Sequence, residues 1–499
     1  MAALSAPVGA FIQHEPSREP SIESPSKVHL HQKITGPSNL ELDTLQWGER
    51  ISGPADSTKV ASSSGAVTPG ELERSQPSTP TRDEAIDAVA ATSLNTPQIR
   101  WRLGATGVVF LCVGMVDAAT GAVLPSIEAQ YNVSYAVVSL LFITYAFGFI
   151  AAAPVISTID SKFGRSRTLM IACTFLCVGY IALICRPPFA VVVLAFWFIG
   201  VGVAIFLAVS NSYMVNLAHG TVLLGFMHGL YGVGGTVSPL IATAMISQGI
   251  PWSMFYTIPL ALSVVSVGTM GWAFRSFEED ASVQLLTALE RTASRRAAAQ
   301  GEPTKRQLLW QSLKNRTTLL GALFIFFYQG GEVAISGWVI SYLIHYRDGD
   351  PSQVGNVTSG FWGGITLGRF LLTGICHRIG EKRAVVGLIA SAAVFQSLVW
   401  AVPNIITNAV AESIVGLFLG PVYPCSMAVF AMLWPRNIQI GSLGLVSSMG
   451  SAGGAFVPFV TGLMAQAIST VVLHPIVLFS FAMMIGAWFG LPKIQKRTE

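Results

Sequence analysis

The sequence predicts an all-α membrane protein: twelve transmembrane helices in two sets of six, preceded by a disordered N-terminal tail. Three observations predict it. Of 499 residues, 52% are hydrophobic and only 11% charged, against roughly 25% charged in ordinary soluble domains. From residue 103 onward, apolar stretches of about 20 residues, the length that crosses a hydrocarbon core, follow one another with brief interruptions. Two motifs also recur at nearly one offset. "DSKFGRSRT" around Gly164 is matched by "CHRIGEKRA" around Gly380, 216 residues on, and "GGTVSP" at 234–239 by "GGAFVP" at 453–458, 219 residues on. Such internal similarity is the mark of a chain built from repeats.

The spans of the first set are 104–125, 135–157, 168–185, 190–213, 222–246 and 252–274. Those of the second are 318–343, 355–375, 384–402, 406–433, 441–466 and 471–491. Lipid offers the backbone no hydrogen bonds, so each span is a helix, broken only where protein or a water-filled cavity covers the break. All but three of the Lys and Arg residues after position 99 fall on one side, the exceptions being Arg186, Arg347 and Arg369. The positive-inside rule then makes both termini cytoplasmic, as an even number of spans requires. The positive net charge therefore reflects topology and not nucleic-acid binding.

Residues 1–100 are rich in Ser, Pro and Thr and carry too little apolar surface to fold, so they read as a disordered cytoplasmic tail. Ser24, Ser78, Thr79 and Thr81 are candidate phosphorylation sites there, or the tail is a passive tether. With no apolar segment near Met1, span 1 itself serves as the targeting signal. The half formed by residues 101–275 joins that formed by residues 317–492 through a linker at 276–316. In this linker the apolar positions 283, 285, 286 and 289 suggest a short amphipathic helix on the membrane surface. Residues 493–499 form a short cytoplasmic C-terminus. The six cysteines are scattered in or beside the spans and read as packing residues, with no metal-ligand spacing. "NVS" at Asn132 is a sequon on the outer side, beside span 2.

Span 5 contains "GFMHGLYGVGGTVSPL", in which "GVGG" invites a nucleotide-site reading. It lacks the Gly-x-Gly-x-x-Gly spacing, follows no strand and sits at bilayer depth, so it is not a phosphate cradle. Gly229, Gly232 and Gly235 instead fall on one side of the helix. They form a small-residue seam that lets a neighbouring backbone approach, while Gly with Pro weakens the helical ladder.

Chemistry at membrane depth belongs to the polar residues, because each is costly facing lipid. These are Asp117 (span 1), Asn211 (span 4), His228 and Tyr231 (span 5), Gln329 and Glu332 (span 7), Arg369 (span 8) and Tyr423 (span 10). Asn211 and Gln329 either bridge helices or bind solute; His228, Tyr231 and Tyr423 either pack or face a solute. Arg369, near the cytoplasmic end of its span, is expected to snorkel and to gate. Asp117 and Glu332 are hardest to explain as packing, since a buried acid must be paired, hydrated or protonated. Trp338 and Trp362 are open to three readings: interface belt, packing, or a surface for stacking on a sugar ring.

The two six-span sets with a basic Gly loop after spans 2 and 8 resemble the major facilitator superfamily of secondary transporters over residues 104–491. The loop after span 2 resembles the signature Gly-x-Leu-x-Asp-Arg-x-Gly-Arg-Arg, which falls on Ser157, Ile159, Ser161, Lys162, Gly164, Arg165 and Ser166. The signature's Asp position holds Ser161, with Asp160 one place early. The His-Gly-x-Tyr-Gly-x-Gly stretch, "GPVYPCSMAVF" in span 10 and "GSAGGAFVP" in span 11 resemble the fucose-permease-related branch and its fungal members. The resemblance implies the major facilitator fold, with spans 1, 4, 7 and 10 lining a central cavity.

The function expected is secondary active transport of a small polar solute, a sugar or related metabolite, by alternating access with proton coupling. Candidate solute-binding residues are Asn211, His228, Tyr231, Gln329, Trp338 and Tyr423. Asp117 and Glu332 are the candidate proton carriers, and Lys162, Gly164, Arg165, Arg369 and Gly380 the gating residues. No Walker sequence, catalytic triad or H-E-x-x-H spacing occurs, so neither an enzyme nor a cofactor or metal site is expected. The expected partners are solute, protons and the bilayer of a plasma or vacuolar membrane, with the chain acting as a monomer. The alternative is a non-transporting nutrient sensor of the same fold, signalling through its tail.

Overall fold

The computed structural model describes residues 97–215, 217, 220–280, 305–435 and 438–492. The expectations for the tail, its phosphorylation sites, the amphipathic linker helix and the C-terminus fall outside these residues, apart from 97–100, which open the first helix. Fifteen α-helices occur among the described residues, with two 3₁₀ turns and no strand. In the first set they are α1 (Pro97–Tyr131), α2 (Tyr135–Val138), α3 (Leu140–Ile184), α4 (Phe189–Val215), α5 (Gly220–Ser247) and α6 (Thr257–Ala273). Then come α7 (Lys305–Lys314), α8 (Arg316–Arg347), α9 (Gly355–Leu371), α10 (Thr373–Ile379), α11 (Glu381–Ala401), α12 (Ile405–Leu419), α13 (Val422–Leu433), α14 (Gln439–Ala467) and α15 (Leu473–Phe489).

Ten helical runs among the described residues are long and apolar enough to cross a membrane, against twelve expected spans. The difference has two physical sources. Spans 2 and 3 form one run, Tyr135–Ile184, because the backbone leaves helical geometry inside α3 at a single residue, Gly164 (φ 80°, ψ 165°). Span 8 is divided after α9, whose 17 residues fall short of a full crossing, and resumes as α10. Pro125, Pro154, Pro239 and Pro458 lie inside α1, α3, α5 and α14. Each removes one backbone donor and bends its helix.

Within the first set α1 packs on α5 and α6, and α3 on α4 and α6; within the second α8 packs on α14 and α15, and α9 on α12. One contact occurs twice. A Cβ on Gly234 of α5 would collide with the Leu111 carbonyl of α1, and a Cβ on Gly453 of α14 with the Phe326 carbonyl of α8. Both pairs of backbones approach so closely that only glycine fits. Thus α5 lies on α1 as α14 lies on α8.

The sets meet along α5 and α9, where a Cβ on Gly229, Gly232 or Gly235 would touch Phe370, Thr366 or Trp362 respectively. These are the three glycines of the seam read from the sequence, and their partner is a single helix. A second contact joins α1 to α8, Gly121 lying against the Ser336 carbonyl. A third lies at the end of the bundle opposite the basic loops. There the Tyr135 N–H donates to Gln466 Oε1 over 3.1 Å, and Ser139 packs on Gly462.

Candidate functional site

The polar residues of the interior gather around two acids. Asp117 lies on α1 two turns before Pro125 and receives two phenolic hydrogen bonds. Tyr145 of α3 donates to Oδ1 over 3.1 Å and Tyr231 of α5 to Oδ2 over 2.7 Å. The local sequence permits this because Gly114 stands one turn before Asp117, directly against the Tyr231 carbonyl, and so admits α5 to close range. The Tyr231 ring meets Trp362 of α9 edge-on at 5.8 Å, and the Trp362 indole N–H donates to Ser336 Oγ of α8 over 2.8 Å. A chain of side chains therefore runs from Asp117 in the first set to α8 and α9 in the second.

Glu332 sits on α8 with 6% of its surface exposed, and its Oε2 finds no hydrogen-bond partner among the described residues. Arg369 of α9 and Tyr328, one turn earlier on α8, stand close enough to act on its charge. The Tyr328 hydroxyl donates to the Leu419 carbonyl over 3.3 Å, and its ring packs on Tyr423 of α13 at 5.9 Å. Chemically this is one positive group, two acids and several phenols, with the Trp362 indole joining the sets beside them.

Arg369 lies within electrostatic reach of Glu332, Tyr328, Tyr231 and His228, where Glu332 offers a counter-charge that lipid cannot. His228 lies edge-on to Phe110 at 5.3 Å. Asn211 on α4 has a buried Oδ1 without a partner among the described residues. Gln329 packs on Gly450 and Gly454 of α14. Trp338 is placed apart from the two acids. Its indole N–H donates to the Pro458 carbonyl over 2.9 Å, and its ring lies 5.8 Å from Tyr135 and 6.4 Å from Phe142, where the two sets close.

At the basic end, Gly164 and Gly380 both adopt positive φ, 80° and 97°. Arg165 pairs with Asp160 at 3.1 Å and donates to the Val209 carbonyl over 2.9 Å, so the aspartate one place early still finds its arginine. Phe277, just beyond α6, lies between two guanidiniums, those of Arg102 and Arg165, each 5.2 Å from its ring. The Arg165 N–H donates to Glu278, and Arg102 pairs with Asp280. Lys162 extends over Phe163, 5.5 Å from the ring centre.

Tyr145, Tyr328 and Ser336 were not among the sequence candidates: they are hydroxyl residues inside spans like Tyr231 and Tyr423, and only the fold shows which of these face the two acids. Glu412 of α12 did carry one, being an acid inside an expected span. It is 0% exposed, and neither carboxylate oxygen has a partner among the described residues.

A bundle of membrane-length helices in two interlocking sets, with a polar centre shared between them, belongs to the class of multi-pass integral membrane transport proteins. Residues 106–349 and 330–499 match the profile of the Major Facilitator Superfamily, and the chain belongs to that superfamily. The family is one of transporters, not enzymes. "Bypass of stop codon protein 6" of Saccharomyces cerevisiae is 26% identical, the match covering 81% of this chain and 84% of that protein. The "Glucose/mannose transporter GlcP" of Bacillus subtilis is 20% identical over 71% of this chain and 85% of its own length. The solved structure of a D-xylose-proton symporter superposes with a TM-score of 0.63 at 13% identity, covering 80% of this chain and all of that one.

Proposed function

We propose that this protein is a secondary active transporter that carries a small polar solute, a sugar or related metabolite, with coupling to protons. Its chain crosses the membrane twelve times, with the break at Gly164 serving as the turn between the second and third crossings and α9 with α10 forming the eighth. The halves 101–275 and 317–492 rock about the central site, and both termini lie on the cytoplasmic side. The observation that carries this reading is the placement of the acids. Asp117 and Glu332 stand on α1 and α8, helices that occupy corresponding places in the two sets. A proton taken up by Asp117 changes the hydrogen bonding of Tyr231, whose ring reaches Trp362 of the opposite set. Relatives named for glucose, mannose and xylose support the solute class. Tyr231, His228, Gln329, Asn211 and Tyr423 surround the solute, with Arg369 balancing Glu332, while the Gly164 and Gly380 loops gate.

Uptake into proteoliposomes under an imposed pH gradient, with a panel of labelled hexoses and pentoses, tests this. One or more sugars should accumulate uphill. Asp117→Asn or Glu332→Gln should abolish that accumulation while solute exchange persists. Accumulation that survives in both variants with an unchanged pH profile removes these acids from the mechanism, and absence of flux for every sugar removes the solute class.

A further inference from the structure

Away from the centre, on the face turned to lipid, α9 is set back between α5 and α12. Its glycines bring this about. A Cβ on Gly364 would collide with the Ser413 carbonyl, one on Gly360 with the Ser413 hydroxyl, and one on Gly363 would touch Thr236 of α5. With flanking helices so close and no side chain rising from α9, a groove of about 560 Å³ remains above it, walled by Leu240 and Leu417. Its floor runs from Asn356 to Leu367, twelve residues spanning about 16 Å of helix at 1.5 Å per residue. Leu240 and Leu367 are 41% and 55% exposed, so the groove opens onto hydrocarbon.

Its polar groups are unevenly distributed. Asn356 stands in the first turn of α9, at the end of the bundle away from the basic loops, and Ser359 follows one turn inward on the same side. The Thr236 hydroxyl is committed to the Gly232 carbonyl and that of Ser413 to the Ala409 carbonyl, at 2.8 and 2.7 Å. Ser359 is different: it is 5% exposed, lines the groove, and its hydroxyl has no partner among the described residues. A buried hydroxyl without a partner is destabilising, a cost that a ligand hydroxyl can relieve. No Lys, Arg, Asp or Glu lines the groove.

We propose that this groove is a sterol site. The occupant it fits has one small neutral polar head and a flat, rigid hydrocarbon body. The sterol hydroxyl meets Ser359 and Asn356 at the membrane edge, and its rings lie on the glycine floor of α9. A phospholipid headgroup would find no charge to pair with, and a flexible acyl chain would leave the Ser359 hydroxyl unanswered. A rigid ring system also loses little conformational freedom on binding to such a surface.

The test uses the full chain in nanodiscs with a photoreactive diazirine sterol, followed by peptide mapping. Label should appear on segments of α5, α9 and α12, and should be competed away by unlabelled sterol but not by phosphatidylcholine. Gly363→Leu, which fills the floor, should abolish labelling, with size-exclusion profile and circular dichroism unchanged. Ser359→Ala, which leaves the shape intact, should weaken it and provides the result if Gly363→Leu fails to fold. Label spread evenly over the lipid-facing surface, equal competition by phosphatidylcholine, indifference to Ser359→Ala, or a crosslink between two copies through this face would each overturn the assignment.

Discussion

Glu412 and Glu332 are both buried acids of the second set, yet their surroundings ask different things of them. Glu332 has Arg369 and Tyr328 within reach, whereas Glu412 has two oxygens without partners among the described residues. An unpaired ionised carboxylate in an apolar interior is far more costly than a neutral amide. Glu412→Gln is therefore expected to leave the thermal midpoint unchanged or to raise it, as read by tryptophan fluorescence during heating. A fall of several degrees would show that the carboxylate has a use that the amide cannot supply. Residues of this kind are legible in a sequence because composition alone flags an acid inside a span. Rotation about the helix is not legible, so the sequence could not say that Arg369 comes within electrostatic reach of Glu332. Trp338, open in the sequence to belt, packing and solute-stacking readings, donates its N–H to the Pro458 carbonyl.

Among the elements, the two loop glycines separate effects that a sequence cannot. Both have positive φ, and Gly164 at φ 80°, ψ 165° lies in a region essentially closed to residues with a Cβ, where strain is of order 1–3 kcal/mol. A Cβ at Gly164 would also stand 2.8 Å from Glu278 Oε1, while one at Gly380 would meet nothing within 4 Å. Gly164→Val should consequently slow turnover markedly more than Gly380→Val, with solute affinity nearly unchanged in both. Equal rates in the two variants, measured in protein delivered normally to the membrane, would show that the Glu278 contact is irrelevant to the moving step. The glycine seam of α5 was legible because its spacing places three small residues on one side. Its partner α9 was not, since nothing in a linear pattern says which helix lies opposite. The limits of spans 2 and 3 blurred for a related reason: one glycine breaks what is otherwise an uninterrupted helical run.

For the molecule as a whole, alternating access requires that the contacts between the sets be breakable. Those at the end away from the basic loops include the Tyr135 and Gln466 hydrogen bond, the packing of Ser139 on Gly462, and the Trp338 rim. A Cβ at Gly462 would stand 2.7 Å from the Trp338 ring. Gly462→Leu should therefore wedge this end apart and stop both exchange and accumulation, while a sugar-dependent thermal shift persists. Exchange at the normal rate would show that closure here is not part of the cycle. The sequence repeat has a structural counterpart, since the close backbone contacts at Gly234 and Gly453 both demand glycine. The connection from Asp117 across to Ser336 could not be foreseen, since it depends on three helices meeting at one indole.

That indole has an optical consequence. Trp362 touches Tyr231 with its ring and Ser336 with its N–H, and Tyr231 donates to Asp117. Emission from an indole shifts with the dipoles and hydrogen bonds around it, so Trp362 stands where an indicator dye would be placed to watch the acid and the junction of the two sets at once. The difference spectrum between the native chain and Trp362→Phe, followed during a pH step, would record titration at Asp117 as a colour change in light the protein itself emits.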